Sequence, residues 1–427
     1  MEANKLAPIP SKSRISSASE FMNAPEKLIS TAEMLGSVWI CYAPLIDKKR
    51  KAIGTRLTML SANSQERPAI GALLDALNAV WPESPVPVLV APLDAAFDES
   101  ALNWTAPRNA LLEIPASALL DPRTQSIAQA LFRDGKRLVL RGIPEVPLPP
   151  ALLSCFEYSL IHVSEDRRRW SGQAPAGIVR RIPFIVTGVQ NVADAVEVFD
   201  RDAAACVGWP LDDQSTNKAR PLQPGQAVVM ELLRLVRDDA DLDKIDATLR
   251  RDPALAFKLL RLVNSAAFNL PVQITSFQHA VMMLGYKKLI RWLSLLLATA
   301  SKDSNTFPLM HASIRRGIFL ETIGATASQG EIRDELFITG AFSLLDRITG
   351  APFPHLFELI SLSETIVEAI LHRSGPYGAY LTLIEAIERS DPIAIRKQTQ
   401  ELAIPTAACN EALLKSLASA QLLDGDI

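Results

Sequence analysis

An α/β domain followed by an all-helical domain is the fold class this sequence predicts, and three observations predict it. From Val38 to about Leu211 short apolar runs alternate with segments whose apolar residues recur at helical spacing, the signature of a parallel α/β unit. The stretch DDQSTNKARPLQPGQ, Asp212–Gln226, is polar and turn-forming and has no apolar stripe, so it reads as a linker. Beyond it the pattern is helical almost throughout. A chain of 427 residues, 48% hydrophobic and 21% charged, is long enough for two such cores.

Residues 1–33, rich in Ser, Pro, Ala and Lys with little periodicity, are expected to form a tail without a fold of its own. The first two strands lie in CYAPLIDKKRKAIGTRLTML, Cys41–Leu60, on either side of a charged turn. Later strands are expected in PVPVLVAPL, NALLEIP, KRLVLRGI, YSLIHVS, PFIVTGV and AACVGWPL. Between them PAIGALLDALNAVW, with Ile70, Leu73, Leu74 and Leu77 on one side, and DPRTQSIAQALFRDG are helical. In the second half QAVVMELLRLVRD places Val228, Leu232, Leu235 and Val236 on one face. In DPALAFKLLRLVNSAAF, Asp252 is the expected N-cap, Pro253 the first helical residue, and Leu255, Leu259, Leu262 and Val263 the inward stripe.

Composition narrows the function classes. A net charge of −3 gives no global basic field for nucleic acid or an anionic membrane. The N-terminus lacks the apolar core of a signal peptide, so a cytoplasmic protein is expected. The run LIRWLSLLLATA, Leu289–Ala300, is interrupted by Arg291 and is shorter than the ~20 residues that span a bilayer. It reads as a buried helix. Cys41, Cys155, Cys206 and Cys409 are far apart and form no metal-ligand spacing, so buried reduced thiols are expected.

The segment Arg251–Ala300 closely resembles the signature of the HDOD family, with DPAL…KLLRLVNSA, a short loop, ITS…AV..LG and an apolar helix in order. Read as physics, the segment packs and caps: Phe277, Ala280, Val281 and Leu284 make a stripe, and Gly285 ends that helix before Tyr286 begins the next. HDOD domains are similar in fold to the HD phosphohydrolases, whose adjacent His-Asp pair helps to hold a catalytic metal. The resemblance puts that pair near Ser343 and Leu344, and no His-Asp dipeptide occurs in the chain. His311, with Asp346 not far along the sequence, is a loose match to the enzyme pattern. His162, His279, His355 and His372 are isolated and read as ordinary surface or hydrogen-bonded residues.

The first domain resembles the EAL family of cyclic di-GMP phosphodiesterases more faintly, at several points in order. The resemblance implies a barrel of the TIM type, somewhat irregular, with its site at the C-terminal ends of the strands. Active members hold two divalent metals through carboxylates and an asparagine. Here GTRLTML offers Thr55 and Arg56, VLVAPLD offers Ala91 and Pro92, and LVLRGIP offers Arg141 and Gly142. SLIHVS has no lysine, VTGVQN offers Thr187 and Gln190, and CVGWPL offers Val207 before Gly208. LLEIP does keep an acid, Glu113, at the position of the second glutamate.

Together the two resemblances imply an EAL-HDOD signalling protein of bacteria. The expected organisation is a tail at 1–33, a degenerate EAL-like barrel at 34–211, a linker at 212–225 and an HDOD helical domain at 226–427. The expected function is a non-catalytic adaptor, a pseudoenzyme without metal or cofactor, that regulates partners such as histidine kinases or diguanylate cyclases through the HDOD domain. The alternative is a receptor that binds cyclic di-GMP without cutting it, with Arg56, Glu113 and Arg141 as the site and the arginines gripping phosphate. The plainer expectation is that those arginines are solvated or pair with Glu113, and residual phosphodiesterase activity is not expected.

Overall fold

The computed structural model describes residues 31–424 apart from 63–67, 82–85, 94, 96, 167–181, 209–223, 250, 252–276, 300–302, 328–329 and 361. The expected tail up to residue 30, the expected linker up to residue 223 and the DPAL-to-ITS segment at 252–276 lie outside the described residues.

Eight strands close into a barrel in chain order: β1 Val38–Ile46, β2 Ala52–Ser61, β3 Val88–Pro92, β4 Ala110–Pro115, β5 Arg137–Arg141, β6 Tyr158–His162, β7 Phe184–Thr187 and β8 Ala205–Val207. Around them lie α1 Thr31–Gly36, α2 Ile70–Ala79, α3 Pro122–Arg133, α4 Pro150–Leu153 and α5 Val192–Asp200. Local chemistry sets the helix starts. Asp121 accepts from the Arg123 N–H at 2.9 Å with Pro122 in the first turn of α3, and Asn191 accepts from the Asp194 N–H at 2.8 Å at the start of α5.

The barrel departs from all-parallel (β/α) order at one strand. β1 runs antiparallel to both neighbours, β2 and β8, while the other pairs are parallel. The cause lies in the connection. The Asp47 carboxylate accepts from the Lys51 N–H at 2.8 Å, the Asp47 carbonyl accepts from the Arg50 N–H at 2.9 Å, and Arg50 adopts φ 65°. So tight a turn returns the chain alongside itself, whereas a parallel neighbour needs a crossover of a dozen or more residues.

The second half holds α6 Pro224–Arg237, α7 Leu242–Leu249, α8 Phe277–Ala298, α9 Phe307–Ala327, α10 Gly330–Phe342, α11 Leu345–Thr349, α12 Phe353–Leu359, α13 Glu364–His372, α14 Gly375–Arg389, α15 Pro392–Glu401 and α16 Thr406–Asp424. The stripe of α6 is displaced from the expected one: Val229, Leu232, Leu233 and Val236 are buried, and Val228 and Leu235 only partly so. Gly285 breaks α8 with φ 72°, where the sequence places a helix end. Beyond it Leu289, Leu293 and Leu295–Leu297 are buried. Arg291 is accommodated by a bidentate pair with Glu321, one arm at 2.6 Å, and by the Phe337 ring, whose centroid lies 4.4 Å from its guanidinium carbon. Among the described residues no helix is long and apolar enough to cross a membrane.

One hydrophobic core runs through both halves and includes Ile40, Tyr42 and Leu57 of the barrel with Leu381, Leu413 and Leu417 of α14 and α16. A separate cluster fills the barrel lumen: Leu45, Leu89, Leu111, Val139, Leu160, Ile185, Ala205 and Val207. All four cysteines are buried, and burial pushes the thiols of Cys41, Cys206 and Cys409 up to about 12.

Candidate functional site

The lumen cluster identifies which residues face inward. Successive side chains of a strand alternate between faces, so Glu113 follows Leu111 on the lumen side and Arg141 follows Val139. Arg56 sits in register with Ala43 and Leu89, both on that side. The three residues singled out in the sequence therefore meet inside the barrel.

Their geometry is that of a buried ion pair with a second cation beside it. Arg56 donates to Glu113 through Nε to Oε1 at 2.6 Å and through Nη2 to Oε2 at 2.8 Å. Arg141 Nε lies 3.7 Å from Glu113 Oε2. The Glu113 side chain is 0% exposed, Arg56 15% and Arg141 27%. Burial acts to lower the pKa of Arg56, but the Glu113 carboxylate outweighs it and the value is raised. Arg56 is committed bidentately, so Arg141, longer in contact and more exposed, is the cation better placed to meet an incoming anion.

The remaining sequence positions divide according to the pleat. Thr55, grouped with Arg56 at the expected metal position, faces the other way: its hydroxyl accepts from Arg315 Nη2 at 3.2 Å, on the helical side of the barrel. Val207 belongs to the lumen cluster, Ala91 and Thr187 share the lumen phase of Leu89 and Ile185, and Gln190 is exposed beyond the end of β7. Among the described residues no group of three or more His, Cys, Asp or Glu could hold a metal ion. One carboxylate already clasped by a guanidinium does not fit a two-metal centre.

His162 is the residue that sequence reasoning passed over. It ends β6 in the lumen phase of Tyr158 and Leu160, opposite Thr187 on β7, and is exposed at the C-terminal rim. Its Nδ1 accepts from the Ser164 N–H at 3.2 Å and lies 2.7 Å from the Ser164 hydroxyl, which turns Nε2 toward the rim at Gly188. A Cβ at Gly188, φ +79°, would lie 2.2 Å from that nitrogen. The available signal was position, a histidine closing an apolar strand, since an isolated histidine carries none.

In the helical half, the place expected for a His-Asp pair holds other chemistry. Ser343 is buried, donates to the Gly340 carbonyl at 2.7 Å and accepts from Arg316 Nη1 at 3.0 Å. His311 is buried on α9, and burial pushes the Asp346 carboxyl up.

Residues 222–349 match the HDOD domain. The HDOD match supports the helical half of this architecture. Over 200 residues, 47% of this chain and 46% of the relative, the chain is 28% identical to Cyclic di-GMP phosphodiesterase CdgJ of Vibrio cholerae. It is 24% identical over 165 residues, 38% of this chain and 40% of the relative, to the uncharacterized protein YuxH of Bacillus subtilis. These matches span less than half the length of either curated relative. A structure of the FimX EAL domain from Pseudomonas aeruginosa bound to c-di-GMP aligns with 44% of this chain and 95% of its own, at 11% identity and a TM-score of 0.29.

The CdgJ match corrects the expectation of a pseudoenzyme: a 28% identical relative bears the name of a phosphodiesterase and points to enzymatic function. A tally of ligands missing from one family's pattern does not exclude catalysis, because other side chains can supply acid, base or charge stabilisation.

Proposed function

We propose that this protein acts in cyclic di-GMP signalling and that the C-terminal mouth of its barrel receives the cyclic dinucleotide. The single observation that carries the reading is the convergence of Arg56 and Arg141 on buried Glu113, with Arg141 at the last residue of β5 and its Nε 3.7 Å from the carboxylate. A phosphodiester presents the same paired oxygens as a carboxylate, so it competes for Arg141 while Glu113 keeps Arg56 in place. The HDOD match at 222–349 and the name of the Vibrio relative support the same signalling system, and cleavage of the phosphodiester is the enzymatic outcome that name favours.

The test is calorimetric titration of the intact protein with cyclic di-GMP, in magnesium and in chelator, with chromatography of each mixture for the linear dinucleotide. Saturable binding is expected, weakened about tenfold or more in Arg141→Ala, the effect of removing one charge-assisted hydrogen bond. Linear product in magnesium would show that the bound ligand is also cut. No heat from folded wild-type protein in either buffer would overturn the proposal.

A further inference from the structure

Strand β2 has two faces and two partners. Arg56 points into the lumen, and its neighbour Thr55, 2% exposed, points at the helical half. The group that meets Thr55 is the Arg315 guanidinium, itself buried, whose carbon lies 5.6 Å from the centroid of the Tyr42 ring. Tyr42 is on β1 directly beside β2, in register with Leu57, and donates its hydroxyl to Glu388 Oε1 at 3.2 Å. Burial, and next the Glu388 charge, push its phenol well above the ordinary value, so it stays a donor.

The next residue on α9 holds the other end. Arg316 donates to Glu388 from Nε at 3.0 and 3.1 Å and from Nη2 at 2.5 Å, and reaches Ser343 through Nη1 at 3.0 Å. Consecutive residues on a helix diverge by about 100°, which sends one guanidinium to the barrel and the other to α14.

We infer that Arg315 is a positioning residue for the barrel mouth, through which the helical half fixes β2 by way of Thr55 and so holds Arg56 on Glu113. The dinucleotide part of this inference rests on the reading proposed above; the geometric part stands alone. One consequence is reciprocal: a ligand that tightens the Arg56–Glu113 geometry favours the docked helical half to the same degree that docking favours the ligand.

The test uses the full chain as wild type, Arg315→Met and Thr55→Val, the last keeping the shape of residue 55 while removing the acceptor. The direct readout is the Arg56 side-chain Nε–H signal in a nitrogen-edited NMR spectrum, which a bidentate carboxylate shifts downfield and protects from exchange with water. Both variants should lose that protection, and cyclic di-GMP affinity should fall about tenfold. A merely structural role would lower the unfolding midpoint and leave the Arg56 signal and the affinity unchanged, and that result overturns the inference. If Arg315→Met fails to fold, Thr55→Val decides. If wild type binds no dinucleotide, the proposed function fails, and the Arg56 signal still decides whether Arg315 positions the site.

Discussion

At the scale of single residues, the lumen cluster shows how one carboxylate sets the state of its surroundings. Glu113 is tolerated at 0% exposure because Arg56 satisfies both oxygens, and each member of such a pair is costly to leave alone. Arg56→Met removes the pair and strands the carboxylate. Loss of one partner of a buried pair costs about 3–5 kcal/mol, and the loss here belongs near the lower end, because Arg141, 3.7 Å away, can turn onto the vacated oxygens. Urea unfolding of the variant checks this. The double variant Arg56→Met with Glu113→Leu should recover most of the loss, since two apolar groups in place of a buried pair are often neutral or better. A double variant as unstable as the single one would show that the pair is not the reason.

At the scale of elements, the strands were legible because a barrel strand buried on both faces is a short apolar run bounded by turn residues; NALLEIP is β4 but for its first residue. The reversal of β1 follows from the Asp47–Lys51 turn, a local cue that the all-parallel expectation did not use. Less legible were the arginines of α9, because IRRG reads as a solvated pair until α14 and the barrel cover both sides. The convergence of Arg56, Glu113 and Arg141 came from a family resemblance and not from spacing, which cannot tell Thr55 from Arg56. The rim formed by β6 and β7 yields a prediction at this scale. Gly188→Ala places a Cβ 2.2 Å from His162 Nε2 at φ +79°, so the ring must leave its seat on Ser164. The backbone strain alone costs about 1–2 kcal/mol. A lowered urea midpoint with shifted His162 ring protons is expected, and an unmoved His162 signal would contradict the rim geometry.

At the scale of the whole molecule, the barrel and the helices do not behave as two beads on a string. Two domains in one chain ordinarily move and unfold separately unless their interface is large and apolar, and here one hydrophobic cluster crosses it. Asn410 of α16 joins the halves at the backbone: its Oδ1 accepts from the Ile40 N–H at 3.0 Å, and its Nδ2 donates to the carbonyls of Leu35 and Val38, both at 2.7 Å. Arg396 adds a bond to the Ala62 carbonyl at 2.6 Å. Because Asn410 holds β1 at Val38 and Ile40, and β1 closes the barrel against both β2 and β8, the helical half stabilises the closure itself. Intact protein should therefore unfold in one transition, with tryptophan fluorescence and helical circular dichroism sharing a midpoint. Asn410→Ala leaves one N–H and two carbonyls buried without that partner, at a cost of about 1–3 kcal/mol for each unsatisfied group, and should lower both signals together by about 3 kcal/mol or more. Two separated transitions, with the substitution moving only one, would mean that the barrel closes without its helical partner.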